Sequence, residues 1–132
     1  MTKILSKDEI LESQDMRIQT VAVPEWGGSV RLRSLTGAER DAFEATLVKE
    51  VGGKRLPDMN NLRAKLLAAT VVDEEDKPIF GVHDLVALGR KSAVAIDRIF
   101  AVAQRLNAMA PESVEESIKN SMPGPSAGST SD

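Results

Sequence analysis

The chain has one histidine, His83, beside Asp84. General-base or triad chemistry would have to be built on that pair. It falls at an expected helix start, where a polar surface residue is the simpler reading. Asp73-Glu74-Glu75-Asp76 could offer carboxylates to a hard cation, yet the run lacks the alternating Asp-x-Asp-x-Asp-Gly spacing of a calcium loop and reads as a solvated turn. Gly27-Gly28 and Gly52-Gly53 invite comparison with phosphate loops. Neither leads into a Gly-Lys-Ser/Thr or Gly-x-x-Gly step at a helix start, so the first is read as a turn and the second as a helix stop. Lys91, Arg98 and Arg105 recur every seventh residue with Arg90 alongside, the one hint of nucleic-acid binding. A net charge of −3, a pI near 5.3 and Asp97 beside the stripe favour a solvated face instead. With no cysteine, disulfides, thiolate catalysis and cysteine-based metal sites are excluded. No enzyme, cofactor, metal centre or nucleic-acid partner is therefore expected.

The elements that would position these residues emerge from periodicity. Aromatic residues make up 3% of the 132 residues, so Leu, Ile, Val, Ala and Met must build the core, which favours helices. Ser6-x-x-Glu9 has the form of a capping box and predicts a short helix through about Ser13. Ile18, Val21 and Val23, then Val30 and Leu32, flank Pro24-Glu25-Trp26-Gly27-Gly28 and predict a β-hairpin, with the paired glycines supplying positive φ. Thr36-x-x-Glu39 is a second capping box. Ala42, Phe43, Leu47 and Val51 then predict a helix that Gly52-Gly53 ends. After a loop over 54–57, Asp58 is expected to cap a helix with the stripe Met59, Leu62, Leu66 and Ala69 or Thr70. Val71-Val72 and Pro78-Ile79-Phe80 around the acidic run fit a tiny hairpin or an irregular loop equally.

A brief helix from His83 to Leu88 precedes the longest one, opened by Ser92 and carrying Val94 or Ala95, Ile96, Ile99, Phe100, Ala103, Leu106 and Met109. Pro111-Glu112 predicts a last short helix to about Asn120, and Ser121–Asp132 a disordered tail. The expected fold is mainly α with a small N-terminal β-hairpin (α+β), a compact helical domain of about five helices. Residues 1–15 form an N-terminal segment, 16–120 one globular domain with the hairpin over 16–35 and helices over 37–120, and 121–132 the tail. No apolar run approaches the roughly 20 residues of a membrane span, and the polar N-terminus lacks a secretory signal. No membrane partner is expected, and the cytoplasm is the natural compartment.

Trp26 at the hairpin tip either folds over the core or anchors a partner, with the core favoured. The block Val21–Asp41 around it, Val-Pro-Glu-Trp-Gly-Gly, a strand, then Leu-Thr-Gly-Ala-Glu-Arg-Asp, resembles the phage tail assembly chaperones of long-tailed, siphovirus-type bacteriophages. A looser likeness continues through Leu66–Phe80, the 84–92 stretch and the long helix, so it spans about 16–120. Pro24, Glu25, Trp26, Gly27 and Gly28 form the signature turn. The resemblance implies a protein that binds the tape measure protein, keeps it soluble and helps recruit the major tail tube protein. It further implies action in the host cytoplasm, absence from the mature virion and, in some cases, a longer frameshifted version of the same chain as a partner. Homo-oligomerisation is left open. The alternatives are a structural virion component such as a head–tail connector or tail completion protein, and a small DNA-binding regulator resting on the cationic stripe alone. Candidate partner contacts come from helical spacing rather than from the block: Leu62, Leu66, Ile99, Phe100, Leu106 and Met109.

Overall fold

The computed structural model describes residues 2–109. The first helix, α1 (Lys7–Glu12), carries the complete capping box: Ser6 Oγ accepts from the Glu9 N–H, and the Glu9 carboxylate accepts from the Ser6 N–H. It buries none of its residues. Strand β1 (Ile18–Val23) then pairs antiparallel with β2 (Gly28–Arg33), with Val21 opposite Val30. Val21 and Val23 point inward and their neighbours outward, as the two-residue period of a half-buried strand demands. The turn between them is a single 3₁₀ turn, Pro24–Trp26, closed by Gly27 at φ 76°. Gly28 already belongs to β2, so only the first of the paired glycines supplies positive φ.

Helix α2 (Gly37–Ala45) starts at the expected box, in which Thr36 Oγ1 accepts from the Glu39 N–H. It does not run on to Gly52. Val48–Val51 is instead strand β3, paired with β4 (Lys54–Pro57), where a loop was expected. Gly52 at φ 60° and Gly53 at φ 80° form the two-residue reversal between them. Two consecutive positive φ values match the twist of a tight hairpin, and β-branched Val48 and Val51 favour extended backbone, so this pair outweighs the helical spacing of Phe43, Leu47 and Val51. The helix closes where the Thr46 and Leu47 N–H groups turn to the carbonyls of Phe43 and Glu44.

Helix α3 (Leu62–Thr70) begins later than Asp58 predicts. The Asp58 carboxylate accepts from the Asn60 N–H in a local turn, and Asn61 at φ 56° precedes the helix, leaving Met59 outside it and 41% exposed. The chain passes directly into β5 (Val71–Val72), which adds to β2. The acidic run is the turn beyond it: Asp73 accepts from the N–H groups of Glu75 and Lys77, and Val72 bridges to Pro78. A 3₁₀ turn, Val82–Asp84, leads into α4 (Leu85–Gly89). The last described helix, α5 (Ala93–Leu106), has the Ser92 side chain accepting from the Ala95 N–H.

Ala95, Ile96, Ile99, Val102, Ala103 and Leu106 bury one face of α5 against α3 and the β1–β2 hairpin. Val94 lies off that face, 65% exposed. The described residues thus form five α-helices, a three-stranded sheet and a separate hairpin. The helix predicted after Pro111 and the tail over 121–132 lie outside the described residues.

Candidate functional site

The residues singled out for reaction chemistry are engaged in structure. The His83 side chain is 86% exposed and lies 3.5 Å from Asp84, whose carboxylate accepts from the Gly81 N–H. Asp73 is held below the usual carboxylate range by the backbone N–H groups of Lys77 and Glu75, and Asp76 pairs with Arg31 at 2.7 Å. Among the described residues no three His, Asp or Glu side chains converge as metal ligands. In the cationic stripe, Arg98 grips Glu25 with both nitrogens, at 2.6 and 2.8 Å, and Asp97 beside it pairs with Arg63 at 2.5 Å.

That Glu25–Arg98 contact fixes the signature turn onto α5. The guanidinium lowers the Glu25 carboxyl to about 2. Trp26 is half-buried: it packs on the core, and it also lines a cleft of about 280 Å³ with Phe80, Ala87 and Leu88. Pro24, Gly27 and Gly28 shape the reversal.

Of the six contacts taken from helical spacing, Leu66, Ile99, Leu106 and Met109 belong to the buried core cluster. Leu62 and Phe100 lie at its margin, partly buried. Arg63 sits over the Phe100 ring at 5.7 Å. In this fold the six are brought together chiefly as core.

A second apolar opening lies elsewhere. Helix α2 presents Ala42 and Phe43, Thr46 at its C-terminal cap continues that wall, and α3 presents Ala68 and Ala69. The segment from Pro78 through Phe80 to Leu85 forms the third wall of a groove of about 360 Å³. Alanines one turn apart from larger neighbours leave a trough because nothing fills it. Phe80 also borders the Trp26 cleft, so the two depressions share a wall. Val82 stands at the lip, 86% exposed. Polar groups sit at the rim and are held. Burial pushes the Glu39 carboxyl up, but the Thr36 N–H and the Arg33 guanidinium, 2.8 Å away, outweigh it and keep it ionised below its usual range. Lys65 donates to the Thr46 carbonyl at 2.8 Å, closing the end of α2. Sequence reading missed this groove, because its walls come from three separated segments. The only local hint was the pair Ala68-Ala69 beside a leucine stripe.

Fold and groove together define a class: a small α+β protein whose described surface offers shape and apolar contact, with no cluster of reactive groups. Sequence comparison then names the family. A profile described as phage tail assembly chaperone matches residues 7–120, and the chain belongs to that family. A search of curated proteins gives no match. Among solved structures, the tail assembly chaperone of bacteriophage HK97 is similar, with a TM-score of 0.51 and 19% identity, over 78% of this chain and 94% of that one. At that identity the likeness concerns the fold.

Proposed function

We propose that this protein acts during phage tail morphogenesis by binding the tape measure protein, keeping it soluble and helping to recruit the major tail tube protein. Family membership over residues 7–120 carries this reading. The work is binding rather than catalysis. It takes place in the host cytoplasm, and the protein is absent from the finished virion; among the described residues no helix is long and apolar enough to cross a membrane.

The groove between α2, α3 and Phe80 supports a mode of action in which an amphipathic helix of the client lays its apolar face into a trough, with anchors three and four residues apart. Leu62 and Phe100, at the margin of the core, are proposed as secondary contacts along α3 and α5. Leu66, Ile99, Leu106 and Met109 are proposed to act from beneath, by holding the helices that form the groove.

Co-expression with the tape measure protein tests the reading. Wild type should raise the client's soluble fraction and co-purify with it, while Ala69→Asp, which places a carboxylate in the trough, should lose the client and keep the native circular dichroism. A client equally soluble without the chaperone would defeat the proposed function. A client retained by Ala69→Asp would move the contact away from this groove. Mass spectrometry of purified virions checks the remaining claim, since a connector or completion protein would persist there in stoichiometric amount.

A further inference from the structure

We propose that the N-terminal arm, residues 2–12, docks into the groove between α2 and α3 of a second copy of this chain, and that two copies exchange arms reciprocally. Residues 2–15 are exposed throughout, and α1 buries none of its residues. The arm is nevertheless well formed. Its capping box is complete, Lys3 pairs with the Glu9 carboxylate, and Leu5 and Ile10 stand at the two positions of a hydrophobic staple. Ile4 is 88% exposed and Leu11 74%, while Leu5 and Ile10 each remain 54% exposed. A six-residue helix is marginal on its own, and helices in proteins draw most of their stability from packing an apolar face. Four large aliphatic side chains within eight residues call for a covering surface, and in one copy the described residues give them none. The family profile begins at Lys7, so α1 lies within the matched unit.

Area and charge favour a second copy as the partner. The groove is apolar and open at about 360 Å³, walled by Ala42, Phe43, Ala68 and Ala69, with Val82 exposed at its lip. Burying one leucine or isoleucine removes on the order of 100 Å² of apolar surface, so the four side chains, exposed as they are, hide roughly 300 Å² and cover about as much of the groove. Exchange of two arms doubles this to roughly 1,200 Å², the lower end of what a stable specific dimer needs. Residues 2–15 carry four acids against two lysines. The β3–β4 hairpin, which continues from the groove's Thr46, carries Lys49, Lys54 and Arg55 against Glu50, and among the described residues these three cations have no ion-pair partner. Opposite charge thus draws the arm toward the Thr46 end of the groove. Residues 13–16 separate α1 from Arg17, whose carbonyl accepts from the Ser34 N–H at 2.8 Å. Extended, they reach about 14 Å, more than one helix width, which carries the arm clear of its own hairpin. A client helix using the same groove must displace the arm. That consequence rests on the client-binding reading; self-association does not.

Sedimentation equilibrium of the full chain, with no client present, tests the association. Wild type should form a concentration-dependent dimer. Ile4→Asp combined with Leu11→Asp should weaken it about tenfold or more, and since neither residue is buried in one copy the variant should keep the native circular dichroism. Ala69→Asp should weaken it from the groove side. A wild type that stays monomeric up to millimolar concentration overturns the proposal, and so does a dimer that either variant leaves intact. Association that continues past the dimer overturns reciprocal exchange. The lack of cysteine allows a single nitroxide label at Lys7→Cys. When labelled and isotope-enriched chains are mixed, broadening of amide signals should peak at Ala42, Ala68, Ala69 and Val82. Broadening at these amides by a label on the same chain, in samples too dilute to associate, would make the arm's own groove its seat and overturns the second copy as partner.

Discussion

Asn107 is the polar residue on which the junction of α5, α2 and β2 depends, and removing its side chain should have a cost that can be worked out bond by bond. It is 8% exposed. Its Nδ2 donates to the Ala103 carbonyl at 2.9 Å, but that carbonyl also accepts from the Asn107 backbone N–H at 3.1 Å and stays satisfied if the side chain goes. Arg40 binds the backbone carbonyl and is unaffected. The group left without a partner is the Leu35 N–H. An orphaned buried donor costs about 1–3 kcal/mol, and because Leu35 is only half-buried the lower part of that range, roughly 1–2 kcal/mol, applies. At about 4 °C per kcal/mol for a chain of this size, Asn107→Ala should melt roughly 4–8 °C below wild type. Asn107→Leu separates the hydrogen bond from the lost volume, since it refills the space and still leaves Leu35 unpaired. Differential scanning calorimetry should therefore find both variants destabilised, and amide exchange at Leu35 accelerated in both. A leucine variant that melts with wild type would refute the reasoning, by showing that packing rather than the bond holds the junction.

The same geometry sets expectations elsewhere in the chain. The Glu25 carboxyl is depressed from 4.5 to about 2 by Arg98, so its stabilising contribution is present above the unfolded value and is lost as pH falls from 4.5 toward 2. Glu25→Gln should flatten the melting curve across that window, and the difference should shrink in high salt because the pair is partly exposed; superimposable pH profiles would contradict this. At the β3–β4 reversal, Gly53→Val forces a branched residue to φ 80° and should cost about 1–2 kcal/mol, seen as faster amide exchange in that hairpin, whereas Gly28→Ala, in ordinary strand backbone with open space around it, should be silent. Leu66, fully buried, should lose about 2–5 kcal/mol as Leu66→Ala by chemical denaturation.

Much of the frame is legible in sequence because its signals are local. The Ser6/Glu9 and Thr36/Glu39 boxes, the Ser92 cap, the alternation of Val21 and Val23 and the face of α5 each lie within one or two turns of chain. Val48–Val51 was not legible, since Leu47 and Val51 suit a helix as well as Val48 and Val51 suit a strand. Gly52-Gly53 serves either outcome, and the choice rests on both glycines adopting positive φ in a paired hairpin. Glu25 and Arg98 lie 73 residues apart, beyond any spacing argument. The groove is the least legible feature. A trough is made of side chains that are short, and Ala42, Ala68 and Ala69 carry no periodic signal that distinguishes a wall from a filled contact.

The signature block and the groove stand in a particular physical relation. Glu25 ties the turn to α5, Trp26 covers part of the core beside Phe80, and Arg33 binds the same Glu39 whose other oxygen caps Thr36. Each of these contacts fixes an element: the hairpin onto α5, or the first turn of α2 onto β2. Since α2 supplies one wall of the groove and Phe80 another, the block sets where the walls stand without lining most of the trough itself. Substitutions in the block should therefore change stability and groove shape together. A change such as Ala69→Asp alters the trough alone, which makes it the sharper probe of binding.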